Sequence, residues 1–380
     1  MRVAFYAPLK PPDAATPSGD RRMARLLVTA LETAGHEVAV AAILRARDGG
    51  GNATRQARLA ETGMKLAARL VRRWQARPER DRPEAWFTYH LYYKAPDWIG
   101  PAVADALSIP YVVAEASHAP KRAGGAWAIG HEAAAAAIRR ADALIGFNPL
   151  DSACLRPLLT APDRLVEIPP FLDAAPFAQV KDIRAALAAR HGLDTAQPWA
   201  ATVAMMRTGA KLESYRLLAA ALARLGGRKW QLLAIGDGPA RSEVEAAFAG
   251  IPPGRIAWLG EQAEAALPAI LSACDLCLWP AINEAYGMAL LEAQAAGLPA
   301  VAGNSPGVAA IVADGGTGLL TAAGDAAAFA DAAARLLNDA AERATMGAAA
   351  RAKVARVHGI GAAAAALDAV LTAAKERRAA

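Results

Sequence analysis

No apolar run in the 380-residue chain approaches the roughly 20 residues that a membrane-spanning helix needs, which argues against a helical membrane protein. The opening MRVAFYAPLKPP does not read as a secretory leader, because its apolar stretch is short and is broken by Pro8, Pro11 and Pro12. The expected location is the cytoplasm. Cysteine is scarce: Cys154, Cys274 and Cys277 are the only three. Cys274 and Cys277 spell a CxxC, but LCLWP reads as a buried strand and no second pair completes a zinc site, so buried free thiols are expected. A GxGxxG after the first strand is also missing, which counts against a dinucleotide-binding oxidoreductase.

Hydrophobic residues make up 54% of the chain and charged residues 21%, enough for well-packed cores and far from a disordered composition. Much of the apolar share is alanine, which favours helices but brings little side-chain volume. Length suits two domains. The net charge of +6 is partly local. Residues 55–82 carry Arg55, Arg58, Lys65, Arg69, Arg72, Arg73, Arg77, Arg80 and Arg82, while Leu59, Leu66, Leu70 and Trp74 recur on one helical face. A surface helix with a solvated basic face is one reading. A helix touching the anionic inner face of a membrane is the other. No nucleic-acid module accompanies the stretch, so nucleic acid is not an expected partner.

Short apolar runs alternate with helical patterns, the signature of parallel sheets covered by helices. RVAFYAP, EVAVAAI, AWFTYH, PYVVAEA, DALIGF and RLVEIP predict six strands. Between the first two, residues 20–34 predict a helix stopped by Gly35. A second series follows: WAATVAMM, WQLLAIG, IAWLG, LCLWP, PAVAG and GLLTAAG. The pattern breaks between them, where residues 174–196 read as a polar helix and a linker. The expected organisation is an N-terminal Rossmann-like domain over 1–175, a C-terminal one over 176–360, and a terminal helix over 361–380 able to pack back on the first. Ligands of such sheets bind beyond the carboxyl ends of the strands, here in a cleft between the halves.

The densest chemistry lies in EAYGMALLEAQAAGLPAVA, residues 284–302. A loop after a strand carries Glu284 and Ala285. Tyr286, Gly287 and Met288 lead into a helix that holds Glu292. A helix N-terminus with a glycine for close approach is an anion seat, sized for a diphosphate. Carboxylates repel phosphate, so the two acids beside it should instead bind hydroxyls, as a nucleotide sugar offers on both sides of its diphosphate. The bland alternative is a helix-capping Glu284 and a surface Glu292.

This stretch resembles the Glu-x7-Glu signature of family 4 retaining glycosyltransferases, commonly written EGFGLPLLEAMACGLPVVA, whose fold is GT-B: two Rossmann-like domains facing each other across a cleft. The resemblance implies that Glu284 contacts the donor sugar, Glu292 the ribose, and the backbone from Ala285 to Met288 the phosphates. AMMRTGAK resembles the family's diphosphate-binding loop and implies the roles of Arg207 and Lys211, although the spacing is Arg-x3-Lys rather than Arg-x4-Lys. Two fixed cations there would stabilise the charge that develops on a departing diphosphate. LLAIGDGP matches the GDGP turn through Gly236. Glu261 and Gln262 fall where the family contacts the base. PSGDRRMARLL resembles the opening loop and helix, with Gly19 for close backbone approach and Asp20 read as a helix cap. Where the family often has a histidine after the fourth strand, this chain has Ala116; Glu115, His90 and His118 are the nearby alternatives. TYHLYYKAPDW is aromatic-rich and suits stacking on a sugar or a lipid-linked sugar, or ordinary packing.

The resemblance implies transfer of a sugar, with retention, from a UDP- or GDP-sugar to a glycan, lipid-linked or small-molecule acceptor of the cell-envelope polysaccharide kind. No DxD-like acidic pair is present, so neither metal nor cofactor is expected, and domain closure about the linker would assemble the site. A GT-B epimerase or hydrolase, or a non-catalytic nucleotide-sugar binder, remains as a rival.

Overall fold

A computed structural model of the chain describes residues 1–15, 18–284 and 286–379, the side chains of Leu150 and Asp151 excepted. Two compact units result, Met1–Pro169 with Ile360–Ala380, and Pro170–Gly359.

The first unit is built on six parallel strands: β1 (Arg2–Tyr6), β2 (Glu37–Ala42), β3 (Ala85–Leu91), β4 (Tyr111–Ala116), β5 (Ala143–Gly146) and β6 (Leu165–Glu167). Their order is β2-β1-β3-β4-β5-β6. Both faces of the inner strands β1, β3, β4 and β5 are covered, so these are continuously apolar rather than alternating, while the edge strands β2 and β6 stay partly exposed. Phe5 and Phe87 stack with ring centroids 5.7 Å apart, and Trp86 stands edge-on to Tyr6 and Trp74. Burying each such ring stabilises by about 1.5–3 kcal/mol. The helix Gly19–Thr33 is capped by Ser18, whose Oγ accepts from Arg21 N at 3.2 Å. Asp20 is therefore not the cap, and its side chain is free for the role described below.

The basic stretch forms the helix Ala53–Gln75, with Ala67, Leu70 and Trp74 buried and its arginines outward. The terminal helix Ile360–Ala379 packs on Gly19–Thr33 within this unit. Asp368 pairs there with His36 at 3.3 Å, and Lys375 with Glu84 at 3.2 Å. Among the described residues no helix is long and apolar enough to cross a membrane.

The second unit has β7 (Trp199–Val203), β8 (Gln231–Ile235), β9 (Ile256–Gly260), β10 (Leu276–Trp279), β11 (Ala300–Gly303) and β12 (Gly318–Thr321), all parallel, in the order β12-β11-β10-β7-β8-β9. Strand β7 stops earlier than WAATVAMM suggests. Beyond it Ala204 N and Met206 N donate to Ile235 O and Asp237 O, so residues 204–206 run alongside the GDGP turn.

The stretch 174–196, read as a polar helix and a linker, is largely helical and is tied down. It holds the helices Ala175–Ala178 and Arg184–His191. Arg184 fastens it to the second unit, donating to Ala273 O at 2.7 Å and Asp275 Oδ2 at 3.0 Å and lying 4.2 Å over the Trp199 ring. An arginine so engaged is a clamp, and its sequence neighbours, Asp182 and the alanines, gave no sign of it.

Candidate active site

In doubly wound sheets the ligand position is the point where strand order reverses. In the second unit that point lies between β7 and β10. The loop after β7 brings Arg207, exposed, and the helix Ala210–Ala223 that follows carries Lys211 as its second residue. From the loop after β10 comes Glu284, and the two meet: the Lys211 ammonium is ion-paired with the Glu284 carboxylate. Their side chains are 22% and 17% exposed, so the pair is half-withdrawn from water yet reachable. Trp279 Nε1 also donates to Glu284 Oε2 at 3.2 Å, and Lys211 Nζ lies 5.2 Å over the Trp279 ring. Trp279 was not foreseen as a site residue; its place at the carboxyl end of β10 was the available signal.

The loop that holds Glu284 is unusual in its backbone. Ala281 and Asn283 have φ of 54° and 50°, in the left-handed region that non-glycine residues avoid. Two buried hydroxyls pin it: Ser214 Oγ accepts from Ile282 N at 3.0 Å, and Ser305 Oγ donates to Ala281 O at 2.8 Å. Such conformations cost about 1–3 kcal/mol each and persist where the surroundings over-determine them.

Ala285 lies outside the described residues. Tyr286 is half-buried, and Gly287, with φ of 68°, turns the chain into the helix Met288–Ala295. No described side chain caps that helix, and a helix start of this kind can seat an anion. Glu284 is thus not its cap. Glu292 is 3% exposed, so it is not a surface residue either; it lies close enough to β10 to help raise the Cys277 thiol.

Gly236 follows β8 with φ of 138°, where a Cβ would fall 2.0 Å from Ala204 O. No other residue permits this approach of the GDGP turn to the end of β7. Glu261 is exposed, and Gln262 Nε2 donates to Leu259 O at 2.6 Å.

In the first unit the order reverses between β1 and β3. His90 and Glu115 are the penultimate residues of β3 and β4, and Asp20 lies in the first turn of the helix after β1. They converge: His90 Nδ1 is 3.1 Å from Asp20 Oδ1 and 3.6 Å from Glu115 Oε1. His90 and Glu115 have φ of 61° and 57°, again left-handed. The hydrogen bond to His90 holds the Asp20 carboxyl below its usual range, against the opposing effect of burial. An imidazole whose Nδ1 faces two carboxylates can hold a proton or hand it to either. Asp20 was missed as a member of this group, because a helix-start aspartate reads first as a cap. Gly19 beside it is exposed, with open space where a Cβ would be. His118 rests on the His131 ring at 4.9 Å, and burial holds it below its usual value.

Cys274 and Cys277 are both buried, and burial pushes the Cys277 thiol up to about 12. Among the described residues no group of three His, Cys, Asp or Glu is placed to hold a metal ion.

Comparison with known proteins bears on this geometry. Residues 198–339 match the family model of "Glycosyl transferases group 1". A D-inositol 3-phosphate glycosyltransferase of Nocardia farcinica is 34% identical over 187 residues, 47% of this chain and 40% of that protein. A 2-deoxystreptamine glucosyltransferase of Streptomyces kanamyceticus is 30% identical over 213 residues, 53% of each chain. The chain thus spans about half the length, or less, of these relatives. Among solved structures, Anabaena HepE in complex with UDP superposes with a TM-score of 0.72 at 16% identity, over 98% of this chain and 100% of that one. Sucrose-phosphate synthase of Thermosynechococcus elongatus gives 0.69 at 21% identity, over 98% of both. The fold is that of GT-B glycosyltransferases, and the second unit is related in sequence to group 1 glycosyl transferases.

Proposed function

We propose that the chain is a retaining glycosyltransferase that moves a sugar from a nucleotide-diphosphate donor to a glycan, lipid-linked or small-molecule acceptor. The observation that carries this reading is the Lys211–Glu284 pair at the β7/β10 switch point, beside the uncapped helix start at Gly287. Arg207, Lys211 and the N–H groups of Met288 and Ala289 would take the charge of the departing diphosphate. Lys211 has three N–H groups, so pairing with Glu284 leaves two for phosphate oxygens. Glu284 would accept from a hydroxyl of the donor sugar and Glu292 from the ribose. The anomeric C–O bond to the diphosphate breaks, the acceptor oxygen bonds to the same face, and its proton passes to the leaving phosphate oxygen. A UDP-sugar is the favoured donor, supported by the UDP bound in the superposed HepE structure. In the first unit, Asp20, His90 and Glu115 would receive the acceptor hydroxyl. The reaction as drawn needs neither metal nor cofactor.

The test is incubation with UDP-, GDP- and ADP-sugars, following released nucleoside diphosphate and product anomeric configuration by NMR. An α-linked product from an α-linked donor is expected. An inverted product overturns retention, and failure of every sugar nucleotide to bind overturns the donor site.

A further inference from the structure

The aromatic-rich segment after β3 does more than fill space. Tyr92 and Ala95 form a tight turn, with Ala95 N donating to Tyr92 O at 2.9 Å. The turn exposes part of Tyr93, whose ring meets Trp127 edge-on at 5.7 Å. Two cations flank this ring pair. Lys94 Nζ lies 5.7 Å from the Tyr93 centroid and 5.0 Å from that of Trp127. Arg122 lies 5.5 Å and 5.1 Å from the same two rings. No described carboxylate pairs with either cation. Asp48 is near, but its carboxylate is turned inward onto Gly50 N, Asn52 N and Gln56 Nε2. The Arg122 Nε N–H is buried and has no acceptor among the described residues. A buried charged donor left open is costly, and two like charges over one ring pair repel, so an anion on this face would offset both.

The platform is braced by hydrogen bonds. Trp127 Nε1 donates to Asp48 O at 3.0 Å, and Asp48 N donates to Lys94 O at 2.7 Å, tying together the loops after β2, β3 and β4. At the other end of the segment, Asp97 is fully buried and accepts from Thr88, Tyr111, Ile99 N and Gly100 N. Ring contacts run without a gap from the platform to the His90 group: Trp127 to Tyr93, Tyr93 to Tyr92 at 5.5 Å, and Tyr92 to His90 at 5.3 Å.

We propose that this platform binds an anionic sugar, a glycosyl phosphate or diphosphate, with the sugar face on Tyr93 and Trp127 and the phosphate oxygens on Lys94 and Arg122. Sugar C–H faces pack well on aromatic rings, and phosphate matches the planar guanidinium fork. As a statement about binding the proposal stands alone; that this ligand is the acceptor rests on the transferase reading above.

The experiment is calorimetric titration of the whole chain, saturated with UDP so that the donor site is filled, with glucose 1-phosphate, glucose and inorganic phosphate. Glucose 1-phosphate is expected to bind at least tenfold tighter than glucose. The Lys94→Gln/Arg122→Gln variant should lose that preference by about 10- to 100-fold, the range for charge-assisted hydrogen bonds. Trp127→Ala should weaken glucose 1-phosphate about tenfold while leaving inorganic phosphate within twofold. Equal binding of glucose and glucose 1-phosphate, or unchanged affinity in the double variant, overturns the proposal. A second arm with a short-chain prenyl diphosphate-linked glucose distinguishes sources: tighter binding than glucose 1-phosphate assigns the site to lipid-linked sugars, equal or weaker binding to soluble ones. UDP affinity, read in a separate titration of the ligand-free chain, reports on the donor site independently. Its loss would sink the transferase reading and leave the platform standing.

Discussion

Replacing Glu284 by Gln keeps the shape of the side chain but removes the charge that Lys211 now faces, and Lys211→Met removes the other half. At about 4 Å and an effective dielectric of about 20, two unit charges attract by about 4 kcal/mol. The pair is about one-fifth exposed, so desolvation and water offset much of that, leaving a coupling of about 1–2 kcal/mol. The two substitutions should therefore be non-additive in stability by that amount. Their functional effects should diverge. Lys211→Met removes a cation from the diphosphate seat and should weaken UDP by about 10- to 100-fold. Glu284→Gln removes an acid that repels phosphate and frees Lys211, so UDP affinity should stay within twofold or tighten. Transfer should nevertheless fall about 10- to 150-fold, because the lost bond to the donor sugar belongs to the transition state. Calorimetry with UDP and initial-rate measurements with the sugar nucleotide read the two effects apart. A tenfold or greater loss of UDP affinity in Glu284→Gln would refute the division of roles, as would unchanged UDP affinity in Lys211→Met.

Gly236→Ala should destabilise the second unit by about 3 kcal/mol or more, seen as a fall in Tm of about 6–12 °C, since the new Cβ meets Ala204 O at a φ that alanine resists. Asp20 is held below its usual range by His90, so its contribution to stability is present above about pH 4 and lost as pH falls through the folded value. Urea unfolding of wild type and Asp20→Asn should differ most near neutral pH and converge in acid; a constant gap would count against the pairing. Maleimide should modify no thiol but Cys154 in the native chain, because Cys274 and Cys277 are buried and held in the thiol form, and all three once it is unfolded.

All twelve strands were legible from short runs of five to eight mostly apolar residues, because burial on both faces of a parallel sheet leaves that local mark on its inner strands. The two βα series, and from them the fold class, followed. Also readable was the strand–loop–helix context of Glu284 and Gly287, since turn chemistry and helix starts are decided within a few residues. What only the tertiary structure decided are meetings between distant segments. Lys211 reaches Glu284 because β7 and β10 are neighbours, although β8 and β9 come between them in sequence. Asp20, His90 and Glu115 converge because β1, β3 and β4 lie side by side. Arg184 clamps a stretch that the sequence marked only as a polar helix and linker. The left-handed backbone at His90, Glu115, Ala281 and Asn283 had no glycine to announce it. Strand order and strained backbone are properties of the packed whole, where many weak contacts outvote local preference, and no single segment of this sequence encodes them.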